Sequence, residues 1–135
     1  MKEITVEATT ESLEEVQGFV EAELEALECP MKVVMQILIA VEEIFVNIAH
    51  YAYNPKVGHA VIRTSVEENP MQVCIQFLDD GKPFDPLAKE DADVTLSAEE
   101  RQIGGLGIYM VKKSMDEVNY AYENGKNIFT IKKLI

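Results

Sequence analysis

Hydrophobic positions change period several times along the chain, and each change marks an element. Residues 2–8, KEITVEA, alternate polar and apolar through Ile4, Val6 and Ala8, the period of a strand. Thr9-Thr10-Glu11-Ser12 then supplies N-cap side chains ahead of Leu13, Val16, Val20, Leu24 and Leu27, which are spaced for one face of a helix that Cys29-Pro30 closes. A second helix is expected from Met31 to Tyr53. Its apolar face holds Val34, Ile37, Leu38, Val41, Ile44, Phe45 and Ile48, but Ile39 and Val46 lie on the far side as well, the pattern of a buried helix. Asn54-Pro55 stops it. HAVIRTSVEE and MQVCIQFLDD, parted by Asn69-Pro70, read as a strand hairpin. Periodicity then fails from Gly81 to Gly107, and returns as a helix over LGIYMVKKSM and two strands, DEVNYAYE and KNIFTIKK, joined by the hairpin signal Asn124-Gly125.

The order β α α β β, irregular segment, α β β predicts an α+β architecture, a mixed and mostly antiparallel sheet covered on one face by three main helices. A length of 135 residues suits one domain, 1–135. About twenty non-periodic residues inside such a domain are more often a functional lid than a plain connection, here over about 86–104.

Charge narrows the partners. Twelve Lys and Arg against 24 Asp and Glu give a net charge of −12, which argues against nucleic acid and against anionic membrane surfaces. Six carboxylates on the first helix (Glu14, Glu15, Glu21, Glu23, Glu25 and Glu28) form a solvated face or a surface for a protein partner. Cys29 and Cys74 stand far apart with no CxxC pair, so neither a disulfide nor a zinc site is expected. The N-terminus has no apolar leader and no stretch approaches the roughly 18 apolar residues of a membrane span, so the expected location is cytoplasmic.

Three features carry candidate chemistry. Gln36, Glu43, Asn47 and His50 follow spacings that stack them on one side of the second helix; a carboxylate and a carboxamide one turn apart could act as general base and metal ligand. Asp79-Asp80-Gly81-Lys82-Pro83-Phe84 follows an apolar strand; it reads as a turn, or as a carboxylate fixed at a strand end to accept a hydrogen bond from an exocyclic amine. Gly104-Gly105-Leu106-Gly107 opens a helix, where free N–H groups and close backbone approach suit phosphate.

In that order the three resemble the GHKL ATPases (gyrase, Hsp90, histidine kinases, MutL), over about residues 31–135. AVEEIFVNIAHYAY, DDGKPFDP and GGLGIYMVKKSMDEV resemble the anti-sigma-factor serine-protein kinases most. The resemblance implies a Bergerat-type two-layer α/β sandwich that uses ATP and Mg²⁺ without a GxxxxGK[ST] loop. It assigns Glu43 as general base, Asn47 as Mg²⁺ ligand, Asp79 as partner of the adenine amino group beside Gly81, and Gly105 and Gly107 as phosphate-contacting glycines, with Gly104 as a further hinge of the nucleotide site. Thr130 is placed near adenine. Implied partners are a sigma factor or an antagonist-like protein carrying the acceptor serine, and a homodimer is possible within the family. Two positions depart from the pattern: Pro83 replaces a second glycine, and no cation immediately precedes Gly104, which leaves Arg101 or Lys82 to meet the γ-phosphate. The alternatives are a nucleotide-dependent interaction module with little kinase activity, a stand-alone catalytic domain of histidine-kinase type, and a purely structural α/β protein.

Overall fold

A computed structural model describes residues 1–53, 58–88 and 105–135. Strand β1 (Lys2–Glu7) leads through a 3-10 turn at Thr10–Ser12 into helix α1 (Leu13–Ala26), and helix α2 (Met31–Tyr51) follows. Strands β2 (His59–Glu67) and β3 (Gln72–Asp79) come next, then a 3-10 turn at Pro86–Ala88, helix α3 (Gly105–Ser114) and strands β4 (Glu117–Glu123) and β5 (Lys126–Leu134). The five strands form one sheet in the order β1-β2-β3-β5-β4. Every neighbouring pair is antiparallel.

Because side chains alternate across a strand, register settles which residues share a face. Ile4, Ile62, Phe77, Phe129 and Tyr120 lie in one cross-strand row, and Ile75 and Ile131 in the next. These residues join Val16, Val20 and Leu24 of α1, six buried residues of α2, and Val111 of α3 in a single core. At the other end of the same face the row turns polar, and Ala60, Asp79 and Asn127 stand side by side. The inner face is thus apolar where it meets the helices and changes character at its end, where a site can form.

Local expectations give way at both α1 and α2. Ser12 makes no side-chain cap at α1; its hydroxyl instead lies 3.4 Å from that of Thr9, inside the preceding 3-10 turn. The C-terminus of α1 closes in a Schellman arrangement, with Cys29 N–H donating to Leu24 O and Glu28 N–H to Glu25 O, which puts Glu28 at φ 55°. Helix α2 is not buried all round. It packs between α1 and α3 over the sheet, which covers Val34, Ile37, Ala40, Val41, Ile44 and Phe45 but leaves Met31, Met35 and Ile39 on an open side, Ile39 at 57% exposure. Contrary to the sequence expectation, α2 is also long and apolar enough to span a bilayer by length and composition, the one such helix among the described residues. Its apolar residues instead supply the centre of the core. The Asn124-Gly125 hairpin holds, with both residues at positive φ (54° and 76°).

Candidate functional site

Asp79, the last residue of β3, is 5% exposed. Its Oδ1 accepts hydrogen bonds from the Gly81 N–H and from Asn127 Nδ2, each at 2.9 Å. Among the described residues nothing donates to its Oδ2. Burial pushes the Asp79 carboxyl above its ordinary range, while the bonds from Asn127 and Gly81 pull it the other way. The turn that follows is stitched to the end of α2. Lys82 N–H donates to Ala52 O at 3.1 Å, and a Cβ on Gly81 would collide with that same carbonyl, so only glycine allows the approach. Tyr53 ties the next strand in: its hydroxyl donates to His59 O and accepts from Asp80 N–H, both at 2.7 Å.

Asn127 is the residue that sequence reasoning missed. It is 6% exposed, and its amide donates to Asp79 Oδ1 (2.9 Å), Lys82 O (2.9 Å) and Gly81 O (3.4 Å). Its Oδ1 accepts from Phe84 N–H at 3.2 Å and from the Tyr120 hydroxyl. One carboxamide therefore fixes both the aspartate and the backbone that leads away from it. Its signal was a polar residue at an inward strand position.

Asp79 and Asn127 stand at one end of an open cleft enclosing about 440 Å³, part of it continuous with solvent. Ile44 and Ile48 of α2, with Ala52 at its C-cap, form one wall, Ile108 of α3 contributes another, and Phe84, Tyr120 and Phe129 complete it. Asn47 and Lys82 are the further polar groups at its lining. Apolar walls with one directed carboxylate suit a flat heteroaromatic ring that carries a donor.

Glu43 lies one turn before Asn47 and is half-buried. Its carboxyl is raised, chiefly by burial and secondarily by the Glu42 charge. It packs against Gly107 of α3, in the space that a Cβ there would occupy. Glu43, Asn47, Asp79, Gly81 and Gly107 are thus gathered around the seam of α2, α3 and the sheet end. Gly105 begins α3. Arg101 and Gly104 lie outside the described residues, as does the expected lid from residue 89 onward. His50 is exposed and sets its ring edge-on to Tyr51.

Thr130 does not join this group. It pairs with Gln76 across the sheet and receives a hydrogen bond from the Gln76 amide at 3.4 Å. Residues 127, 129 and 131 of β5 point inward, so residue 130 faces the opposite side from Asp79. On β5 it is Asn127, not Thr130, that reaches Asp79.

Among the described residues no group of three or more His, Cys, Asp or Glu could hold a metal ion. Asn47, at the cleft beside Glu43, fits the Mg²⁺ habit of taking one or two protein ligands and completing its shell with substrate phosphates and water.

The profile of the family described as Histidine kinase-like ATPase domain matches residues 6–133. Serine-protein kinase RsbW of Bacillus thuringiensis (strain Al Hakam) is 28% identical over 98 residues, 70% of this chain and 60% of that protein. RsbW of Bacillus velezensis is 31% identical over 99 residues, 71% and 62% of the two chains. Serine/threonine-protein kinase BtrW of Bordetella bronchiseptica is 26% identical over 91 residues, 67% and 63%. The matched stretch therefore spans about 60% of these curated relatives.

Proposed function

The chain belongs to the histidine kinase-like ATPase domain family, and from that premise we propose that it binds Mg-ATP in the Asp79 cleft and phosphorylates a serine or threonine of a partner protein. The observation that carries this reading is the Asp79 carboxylate: buried, held at Oδ1 by two donors, and directed into an apolar-walled cleft. Oδ2 accepts the exocyclic amine of adenine, and Gly81 lets the ring approach. The site residues are Asp79 and Gly81 for the base, Asn47 for Mg²⁺, Glu43 for the proton and Gly105 for the phosphates; Gly104 and Arg101, the further nucleotide-site residues that the resemblance implies, lie outside the described residues.

Glu43 accepts the proton of the acceptor hydroxyl, whose oxygen bonds to the γ-phosphorus as the bond to the β,γ-bridging oxygen breaks and ADP departs. A carboxylate raised by burial is the better base for this step, since proton affinity closer to the working pH increases the driving force for transfer. When bound, Mg²⁺ supplies the charge neutralisation that phosphoryl transfer requires. Asn47 sits one helical turn from Glu43, close enough for base and metal ligand to serve the same phosphate.

Residues 1–135 act as one nucleotide-binding unit, in the cytoplasm. The relatives' names as protein kinases support a protein substrate. The anti-sigma-factor resemblance supports a sigma factor or its antagonist as partner, and a homodimer as the working form. The test is titration with ATP and Mg²⁺. Asp79→Asn places a donor toward the adenine amine, so affinity falls roughly 100-fold, the worth of a charged hydrogen bond replaced by an unpaired donor. Unchanged affinity overturns the site. Labelled phosphate transfer to a co-purified partner, lost in Glu43→Ala, separates the kinase from a binding module that holds ATP without transfer.

A further inference from the structure

Gly107 is the third residue of α3. The three atoms nearest to where its Cβ would stand are Cδ, Oε1 and Oε2 of Glu43, all inside van der Waals contact. The carboxyl group therefore fills the volume that glycine leaves empty. Helix α3 is held against the core by Ile108 and Val111, with Met115 just beyond its end, and it packs along α2, so this contact joins two anchored helices. Glu43 forms no hydrogen bond or ion pair among the described residues. Among those residues its carboxylate is held by shape, not by a polar partner.

The geometry points to Gly107 as a positioning residue for the Glu43 carboxylate, with the bare Cα of α3 as the seat on which the base rests. This deepens the reading of Glu43 as the base and depends on it. It differs from a phosphate-contacting role, because Gly107 then acts through Glu43 and not on the nucleotide. A methyl group at position 107 would displace the end of a flexible side chain, which the fold absorbs at little cost. The chemistry does not absorb it: a shift of about 1 Å in a reacting group can cost on the order of 100-fold.

The experiment compares wild type, Gly107→Ala, and the Gly107→Ala, Glu43→Asp double variant. ATP affinity and single-turnover phosphoryl transfer are measured separately, and NMR of the nucleotide-free wild type reads the proximity of the Gly107 α protons to the Glu43 γ protons. Gly107→Ala should slow transfer roughly 30- to 100-fold and change ATP affinity by less than about threefold. Adding Glu43→Asp, one methylene shorter, should recover about tenfold of the lost rate, because the carboxylate retreats from the added methyl. An affinity loss as large as the rate loss, or no recovery in the double variant, overturns the proposal. If the wild-type protein transfers no phosphate, the proposed function fails, and the proton contact decides the seat on its own: present, it stands; absent, it falls.

Discussion

Asn127→Ala tests the idea that one carboxamide organises the sheet end. The substitution removes donors to Asp79 Oδ1 and Lys82 O at 2.9 Å and to Gly81 O at 3.4 Å, and an acceptor for Phe84 N–H at 3.2 Å and the Tyr120 hydroxyl. At about 1 kcal/mol net for each well-formed bond, the gross loss is about 4 kcal/mol. The cleft is open, so water reaches some of the orphaned groups, and Phe84 N–H keeps a longer bond to Tyr120 at 3.3 Å. A net loss of about 2–3 kcal/mol remains. For a chain of this size that corresponds to a melting temperature lower by roughly 8–12 °C. Thermal and urea unfolding measure it, the urea slope reporting whether the native state stays compact. The Asn127 bond is also the larger of the two that hold the Asp79 carboxyl down. Its loss raises that carboxyl further and weakens nucleotide binding, more steeply toward acid. A melting temperature within about 2 °C of wild type, with ATP affinity intact, would refute the reasoning.

Other positions carry independent expectations. Thr64 lies on the inner face, 4% exposed, with Oγ1 buried and unpartnered among the described residues; Thr64→Val should stabilise by about 1 kcal/mol in urea unfolding, and a loss would show the hydroxyl to be satisfied. Glu28 is exposed at φ 55° in the position that glycine favours, so Glu28→Gly should gain about 1 kcal/mol, read as a higher melting temperature. The Asp79 carboxyl is raised in the folded chain, so its protonated form contributes stability that is present below the unfolded value and lost as pH rises through the folded one. Asp79→Asn should therefore be more favourable to stability at neutral pH than under mild acid, and a difference from wild type that stays constant with pH would contradict this.

Much of the fold could be read from periodicity, because most elements here carry their own local signal. Asn124-Gly125 announces its turn, and the alternation in HAVIRTSVEE and KNIFTIKK announces the strands. The helical spacing of Glu43 and Asn47 could be read in the same way, as could Asp79 at the end of an apolar run. What was hidden depends on pairing between distant segments. Asp79 meets Asn127 only because β5 lies antiparallel to β3 in one register, and nothing local in KNIFTIKK announces that partner. Alternation separates Asn127 and Phe129 from Ile128 and Thr130 without saying which pair faces the helices, and so Thr130 was expected on the wrong side. The exposure of Met31, Met35 and Ile39 has the same origin, since hydropathy ranks residues but does not count the layers packed around a helix. The contact between Glu43 and Gly107 joins residues 64 positions apart and exists only in the assembled fold.

The proposed function rests on Asp79 presenting a hydrogen-bond acceptor to a nucleobase in this cleft. Calorimetric titration of the wild-type chain with ATP and then GTP, each with Mg²⁺, tests it most directly. Adenine offers an amine where guanine offers a carbonyl, which would face Asp79 acceptor to acceptor. ATP should bind saturably and GTP at least roughly 30-fold more weakly; equal affinity for the two nucleotides, or no binding of ATP, would contradict an acceptor role for Asp79.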